Sequence, residues 1–582
     1  MVKEPEAWEE KAAVKRAVTV AKIPEEWRLT EEQINDAKAQ RQLAGAYFQG
    51  FLTDEERKIT GEESTEIVSK IKSKEYSALQ VAKAYCKAAA IAHQMTSCLH
   101  EVFFDQALER AKYLDEYVEK HGKTMGPLHG LPISLKDQFH VKGNDTTMGY
   151  VGWIDTFEGD KGSHKVHNFD SPIVTDLLSL GAVLYCKIGE TENHIIGRVL
   201  NPWNNNLSCG GSSGGEGVML ALGASSAGLG TDLGGSVRVP AGFCGVYGLK
   251  PTHDRLPYRD VANTNPGQNT YSSSIGVLST SHDSIQLMMK SILSTQPWLR
   301  DPVVFSVPWR DEIVAETLER VAPDGSAKSD QKSLKFGILY TDNIVTPHPP
   351  VTRGLHALED ALKKAGHKVV SWNPPPHSTA IRIHLEFMSA DGGNDIKKQL
   401  SLSGEPPIPQ IKIFVEGKEP LPLLEYQDLI LQGIEYAEAY ADYWNSTAQD
   451  DGQIVDAVIA PLAPWAAVIP TKYYHTGKIL HLILTRHNTQ FLQSPAYTEV
   501  INLLDYSVSV VPVTKADKNV DVADPDYEPI SELDKANWEL YDPELFNGTP
   551  VGMQLIGRKH EEEKIWAIGK IVDNIMKKAK SG

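Results

Sequence analysis

The chain has 582 residues and a mass of 64.2 kDa, of which 41% are hydrophobic and 23% charged. The formal net charge of -18 argues against nucleic acid or an anionic membrane surface as the main partner. No apolar run reaches the roughly 18 residues that span a bilayer, and the charged amino terminus is unlike a secretory signal. The five cysteines have no metal-ligand spacing, so we expect a cytoplasmic protein with reduced thiols and no metal centre.

The first part of the chain is predicted to be helical. Residues 1–60 are polar and helix-prone, which predicts a helical extension that wraps a larger body. A capping-box pattern at Ser77 predicts a helix through Ala92. Asp105 is the predicted cap of a second helix that ends at Gly122.

Apolar segments of strand length and helix length then alternate along the chain. The predicted strands span residues 131–136, 182–187, 224–230, 336–340, 455–460, 507–513 and 551–556. The predicted helices span residues 173–180, 215–222, 352–365 and 561–576. This alternation predicts one large α/β domain, residues 61–582, with a mixed, twisted central sheet covered by helices on both faces. Residues 290–335 and 395–425 are rich in proline and charge, which predicts surface loops or insertions.

The glycine-rich stretch from Cys209 to Thr252 is the most informative part of the sequence. It contains two Gly-Gly-Ser turns that end at Ser212 and Ser236, and apolar residues are interleaved throughout. A flexible linker would lack these apolar residues, so the stretch is folded. Glycine lets backbone N–H groups approach a bound atom, and serines on such turns are candidate nucleophiles.

Lys136 is a candidate base, because it ends an apolar strand. Burial lowers the pKa of a lysine toward neutrality, where its amine can take a proton from a serine. The alternative is a lysine at a strand end whose ammonium reaches solvent. The backbone N–H groups before Ser236 can form an oxyanion hole, typically worth about 3–4 kcal/mol per donor. An ordinary turn explains the same residues equally well.

Four motifs together resemble the amidase signature family of serine amidohydrolases. They are Gly-Leu-Pro-Ile-Ser-Leu-Lys-Asp (130–137), Gly-Gly-Ser-Ser-Gly-Gly-Glu (210–216), Gly-Thr-Asp-Leu-Gly-Gly-Ser-Val-Arg (230–238) and Gly-Leu-Lys-Pro-Thr (248–252). The similarity extends from about residue 60 to Pro-Val-Gly-Met-Gln-Leu-Ile-Gly (550–557). Segments 127–130, 149–153 and 201–203 resemble the fungal acetamidase-like branch of the family.

The resemblance implies a Ser–cis-Ser–Lys triad. Ser236 would attack the amide carbonyl, Ser212 would follow a cis peptide bond and relay the proton, and neutral Lys136 would be the final base. The implied oxyanion donors are the N–H groups of Leu233, Gly234, Gly235 and Ser236. The implied supporting residues are Ser213, Asp232 and Arg238. The implied partner is a small-molecule amide, no cofactor is implied, and homodimers are common in the family.

One departure and several alternatives accompany this resemblance. The connection at residues 188–194 is several residues shorter than is usual in the family. In relatives this loop helps to wall the acyl pocket, so its shortening is expected to affect which substrates are accepted. Residues 211–215 also match G-x-S-x-G, which would make Ser213 the nucleophile of a Ser-His-Asp esterase. A catalytically impaired binding protein and an amidotransferase subunit are further alternatives. We predict an amidohydrolase that forms an acyl-Ser236 intermediate, with small aliphatic, aryl and fatty amides all open as substrates.

Overall fold

The computed structural model describes residues 6–449, 451–470 and 496–581, so residues 1–5 of the predicted extension lie outside the described part. Thirteen strands occur in this part. They are β1 Leu99–Val102, β2 Pro132–Lys136, β3 Val183–Ile188, β4 Glu192–Asn193, β5 Gly197–Arg198, β6 Ala227–Asp232, β7 Tyr247–Lys250, β8 Ser274–Ser279, β9 Lys335–Ile338, β10 Lys368–Ser371, β11 Ala457–Pro461, β12 Val508–Lys515 and β13 Pro550–Ile556.

The same described residues contain 21 α-helices. Those of the amino-terminal half are α1 Ala7–Ala21, α2 Glu31–Ala39, α3 Ala46–Gln49, α4 Asp54–Thr60, α5 Ser64–Lys72, α6 Ala78–Thr96, α7 Phe104–His121, α8 Pro172–Ser179, α9 Gly214–Ala221, α10 Arg238–Cys244 and α11 His282–Ser294. Those that follow are α12 Asp311–Leu318, α13 Pro349–Lys364, α14 His377–Met388, α15 Asn394–Ser401, α16 Lys412–Val415, α17 Leu423–Ser446, α18 Ala496–Leu504, α19 Glu532–Trp538, α20 Pro543–Phe546 and α21 Glu562–Ser581. None of these helices is both long and apolar enough to cross a membrane.

Eleven of the strands form one mixed sheet in the order β1-β3-β2-β6-β8-β7-β12-β13-β11-β9-β10, and β4 and β5 form a separate hairpin. Strand β2 pairs in parallel with both β3 and β6. The carboxyl ends of these three strands therefore meet at one edge of the sheet, the usual place for a ligand site in an α/β fold. Lys136, residues 188–194 and the turn before Ser236 all follow or end these strands.

Both faces of the sheet are buried, as the side chains of β11 show. Ala457 and Ile459 pack into one hydrophobic cluster, whereas Val458 and Ala460 pack into another. Successive side chains of a strand point to opposite faces, so each face has its own apolar layer. The predicted single α/β domain with a mixed sheet covered on both faces is confirmed.

Two helix predictions have different outcomes. The Ser77 hydroxyl accepts the Gln80 N–H at 3.0 Å, as predicted for a cap, and the helix runs on to Thr96. The prediction that Asp105 caps the second helix is wrong, because α7 begins at Phe104 and places Asp105 inside its first turn. The helix does end at Gly122, whose φ of 66° lies in the left-handed region that glycine tolerates.

Candidate active site

Lys136 lies at the carboxyl end of β2 and is only 2% exposed. Its Nζ is 2.6 Å from the Ser212 Oγ and 2.9 Å from the Thr231 Oγ1. Burial lowers the pKa of Lys136 to about 8, and the nearby Glu190 carboxylate partly opposes this effect. Lys136 is therefore still mostly protonated near pH 7, but its neutral fraction is far larger than that of an ordinary lysine.

The hydrogen bonds around Lys136 have a defined direction. The Gln138 amide donates to the Ala262 carbonyl oxygen at 2.7 Å, which turns its Oε1 toward Thr231. The Thr231 hydroxyl donates to this Oε1 at 2.5 Å, so its oxygen accepts from Lys136. The second polar partner of the Lys136 amine is the Ser212 hydroxyl, at 2.6 Å. The Lys136 amine thus lies between two hydroxyls, those of Ser212 and Thr231.

The two glycine–serine turns, which end at Ser212 and Ser236, lie against each other next to Lys136. The Gly211–Ser212 peptide bond is cis, as the resemblance implies. The N–H of the next residue, Ser213, donates to the Ser236 carbonyl oxygen at 3.1 Å. Ser213 is fully buried and its hydroxyl donates to the Thr231 carbonyl oxygen at 3.3 Å, whereas Ser212 and Ser236 are both half-buried. The structure therefore brings Lys136, Ser212 and the Ser236 turn into one place.

The Ser236 turn is organised by the carboxylate of Asp232. It accepts the N–H groups of Gly235 at 2.9 Å and Val237 at 3.0 Å, and it pairs with the Arg238 guanidinium at 2.9 Å. Burial alone would raise the pKa of Asp232, but the Arg238 charge and the hydrogen bonds hold it well below its usual range. Both side chains of the pair are fully buried. Asp232 and Arg238 are thus placed to support the turn.

The predicted oxyanion donors differ in their surroundings. The Gly235 N–H already donates to Asp232, so it has an internal partner. The N–H groups of Leu233, Gly234 and Ser236 have no acceptor among the described residues.

A cavity of about 360 Å³ opens beside Lys136 and Ser212. The short connection after β3 and the β4–β5 hairpin form one wall, through residues 190–194 and Arg198. Parts of residues 400–411, within the predicted surface loop or insertion at residues 395–425, form another wall. Ser236 is not among the described lining residues. The cavity thus lies on the Ser212 side of the site.

Within the described part of the chain, two groups of side chains bring three possible metal ligands together. The first is His100, Asp137 and Glu190, and the second is Asp145, Asp155 and His167. In the first group the Lys187 ammonium lies 3.0 Å from Asp137. In the second group the Lys15 ammonium lies 2.7 Å from Asp145. A lysine ammonium therefore already neutralises one carboxylate of each group. Neither group has the chemistry of a metal site.

Sequence reasoning missed Thr231 and Gln138 as partners of Lys136. Thr231 stands inside one of the quoted motifs, and Gln138 follows another by one residue. Both lie at or just after the carboxyl ends of the parallel strands β2 and β6. Ligand sites of α/β folds lie at these ends, so a polar residue there is a signal that could have identified both.

The sequence model of the Amidase family matches residues 80–566. The chain belongs to the amidase signature family. This amidase is 41% identical to an acetamidase of Aspergillus oryzae over 98% of its own length and 99% of that protein. It is 40% identical to an acetamidase of Emericella nidulans over 98% of its own length and 100% of that protein. The predicted family is confirmed.

A solved structure of fatty acid amide hydrolase superposes on this amidase with a TM-score of 0.85 at 30% identity. The match covers 98% of this chain and 95% of that one. A bacterial aryl acylamidase of the same family, at 17% identity and a TM-score of 0.65, shares the fold. The fold and the amidase relatives together identify an amide-hydrolysing enzyme.

Proposed function

We propose that this amidase cleaves a carboxamide to a carboxylate and an amine through an acyl-enzyme on Ser236. The observation that carries the proposal is the 2.6 Å contact between the buried Lys136 amine and the Ser212 hydroxyl. A serine hydroxyl is a weak nucleophile until a base takes its proton. Lys136 is such a base, because burial lowers its pKa to about 8.

The proposed reaction has two halves. In the first, the Ser236 oxygen attacks the amide carbon while its proton passes to Ser212 and the Ser212 proton passes to Lys136. The oxyanion accepts hydrogen bonds from the N–H groups of Leu233, Gly234 and Ser236. The C–N bond then breaks, and the proton returns through Ser212 to the departing amine. In the second half, a water molecule attacks the acyl carbon and gives a proton to the same relay. The ester C–O bond then breaks, the relay returns that proton to the Ser236 oxygen, and the released acid loses its remaining proton to solvent to become the carboxylate.

Short aliphatic amides are the proposed substrates. The two relatives at about 40% identity are named acetamidases, and they match nearly the whole chain. The described cavity of about 360 Å³ lies at the small end of the range of about 300–1,000 Å³ found for ligand pockets. A short amide fits this space.

The alternative nucleophile, Ser213, lacks support. Its side chain is fully buried and its hydroxyl already donates to the Thr231 carbonyl oxygen. A nucleophile must reach a substrate carbonyl from an accessible position. The proposal of an impaired binding protein lacks support too, because Lys136 and Ser212 are in contact.

Hydrolysis of an amide panel tests the proposed function. We expect the wild type to release ammonia from acetamide and propionamide and to be labelled on Ser236 by a fluorophosphonate probe. The Ser236→Ala variant should lose both activities, and the Ser213→Ala variant should still be labelled at Ser236. Lys136→Ala should abolish hydrolysis. Turnover that survives in folded Ser236→Ala, or labelling that moves to Ser213, would contradict the mechanism.

A further inference from the structure

A second cleft lies next to the cavity of the candidate active site. This outer cleft measures about 420 Å³ and is lined on one side by α1, through residues that include Trp8 and Arg16. The β4–β5 hairpin and residues 408–409 complete its lining. Five residues line both the cavity and the outer cleft, namely Glu192, Asn193, His194, Arg198 and Ile408. A single layer of residues therefore separates the two spaces.

This separating wall has two parts, the β4–β5 hairpin and residues 400–411, and two hydrogen bonds join them. The His194 Nε2 lies 2.8 Å from the Pro406 carbonyl oxygen. A carbonyl oxygen only accepts, so the His194 Nε2 carries a proton and donates it. The Gln410 amide donates to the Glu192 carboxylate at 2.7 Å. The His194 ring is thus a part of the wall and also a link across it.

Helix α1 holds His194 from the side of the outer cleft. The Trp8 ring centroid lies 4.6 Å from that of His194. The Arg16 guanidinium donates to the carbonyl oxygens of His194 at 3.1 Å and of the next residue at 2.7 Å. The helix is itself anchored, because its buried Lys15 ammonium lies 2.7 Å from the Asp145 carboxylate. Both the ring and the backbone of His194 are therefore supported by α1.

The position of His194 differs from that of its neighbours in the wall. Asn193 is tied within its own hairpin, because its Oδ1 accepts the N–H groups of Ile195 and Ile196 at 2.9 and 3.0 Å. His194 instead has partners on residues 400–411 and on α1. Truncation of His194 therefore removes a ring from the wall and breaks a link across it at the same time.

We propose that His194 is a specificity-determining residue that closes the cavity against the outer cleft and so restricts the enzyme to short amides. Trp8 and Arg16 act through it as positioning residues. Without the ring, the cavity of about 360 Å³ would continue into the outer cleft, where the chain of a longer amide would lie between Trp8 and Ile408. The turnover part of this proposal rests on the proposed amidase function, whereas the binding part does not.

The test compares propionamide with hexanamide, whose chain has three more CH₂ groups. Burial of one CH₂ group strengthens binding about fourfold, so three strengthen it by up to about 60-fold. The wild type should have the higher kcat/KM for propionamide. In His194→Ala, the kcat/KM for hexanamide relative to propionamide should rise by about 10- to 60-fold. The change should lie mainly in a lower KM for hexanamide, because the added contacts are with the chain and not with the reacting atoms.

Conservative and supporting variants separate the wall from a general loss of structure. His194→Gln keeps an N–H donor for the Pro406 carbonyl oxygen, so its ratio should stay near that of the wild type. Trp8→Ala and Arg16→Met leave the ring in place but remove its support from α1. Each should raise the ratio in the same direction by less than His194→Ala does.

Two matched controls lie outside both spaces. The His121 ring centroid lies 4.4 Å from that of Tyr117, so His121→Ala removes a similar aromatic contact. Arg28 donates to two carbonyl oxygens, each at 2.9 Å, so Arg28→Met is the control for Arg16→Met. Both controls should leave the ratio unchanged.

Binding without turnover provides an independent measurement. Ligand-observed NMR titrations of Ser236→Ala should show weak binding of hexanamide, and His194→Ala in that background should bind it about 10-fold or more tightly. His194→Ser, which also removes the ring, serves if His194→Ala fails to fold.

The possible results separate the two proposals. A wild type that prefers hexanamide, a ratio unchanged in folded His194→Ala, or an equal rise in His121→Ala would overturn the role of His194. An unchanged ratio in both Trp8→Ala and Arg16→Met would overturn the part assigned to α1. A wild type that hydrolyses neither amide would overturn the proposed function, and the NMR comparison would still decide the role of His194.

Discussion

Replacing Thr231 by valine tests the proposed role of Lys136 most directly. Valine keeps the shape of threonine and removes the oxygen that accepts a hydrogen bond from Lys136 at 2.9 Å. The protonated lysine suffers most, because an ammonium has three N–H groups to satisfy whereas the neutral amine has two. The variant should therefore favour the neutral amine and lower the pKa of Lys136 further.

The size of the effect follows from the energy of one hydrogen bond to a charged group. Such a bond contributes about 1.5–3 kcal/mol, which corresponds to about 1–2 pKa units. The acid limb of kcat/KM should move from about pH 8 in the wild type to about pH 6–7 in the variant. The lysine would also be less well oriented toward Ser212, so the plateau rate should fall by about 10- to 100-fold.

The assay is ammonia release from acetamide between pH 5 and pH 10, with circular dichroism to check folding. Thr280→Val is a matched control, because the Thr280 hydroxyl is also buried. Thr280 follows the end of β8 that lies far from Asp232, which pairs with Ser274 at the opposite end. It should leave both the rate and the pH profile unchanged. An acid limb that stays in place or moves to higher pH in Thr231→Val would refute the hydrogen-bond directions inferred around Lys136.

Three other expectations concern the same site. The wild-type kcat/KM should rise about tenfold per pH unit below about pH 8 and level off above it, because only neutral Lys136 accepts a proton; a pH-independent rate in this range would contradict the role of the lysine. Arg238→Met leaves the Asp232 carboxylate buried without its cation, so the free energy of unfolding measured in urea should fall by about 3–5 kcal/mol. A fall below about 1 kcal/mol would show that the ion pair adds little to stability. Gly211→Ala adds a methyl group that overlaps the Thr191 hydroxyl, so the rate of amide hydrolysis by this variant should fall sharply. Gly267→Ala is the control, because its methyl group would meet no atom within 4 Å, and it should retain activity.

Much of the fold was readable from hydrophobic patterns, and the errors have physical causes. Strands β2, β3 and β13 are apolar and fully or nearly fully buried, and their predicted bounds agree within one residue. The edge strand β10 is half-exposed and only four residues long, so its pattern did not stand out. Asp105 has the side chain of a cap, but the cap position is Phe103, two residues earlier.

The residues of the candidate site could be predicted only where they stand inside a recognisable sequence motif. Lys136, Ser212 and Ser236 stand in motifs quoted from the sequence, and the structure gathers them around one edge of the sheet. Gly235 also stands in a motif, but its N–H belongs to the Asp232 carboxylate, which no pattern along the chain indicates.

The sequence by itself determined the family, the α/β architecture and the three side chains of the proposed relay, because local patterns and short motifs record these features. Only the tertiary structure decided the hydrogen-bond partners of Lys136 and the shape of the cavity. The pairing of β2 with β6 places Thr231 and Gln138 beside Lys136, and long-range packing brings residues 400–411 over the site. Hydrogen-bond partners depend on distances between segments far apart in the chain, so no pattern along the sequence records them.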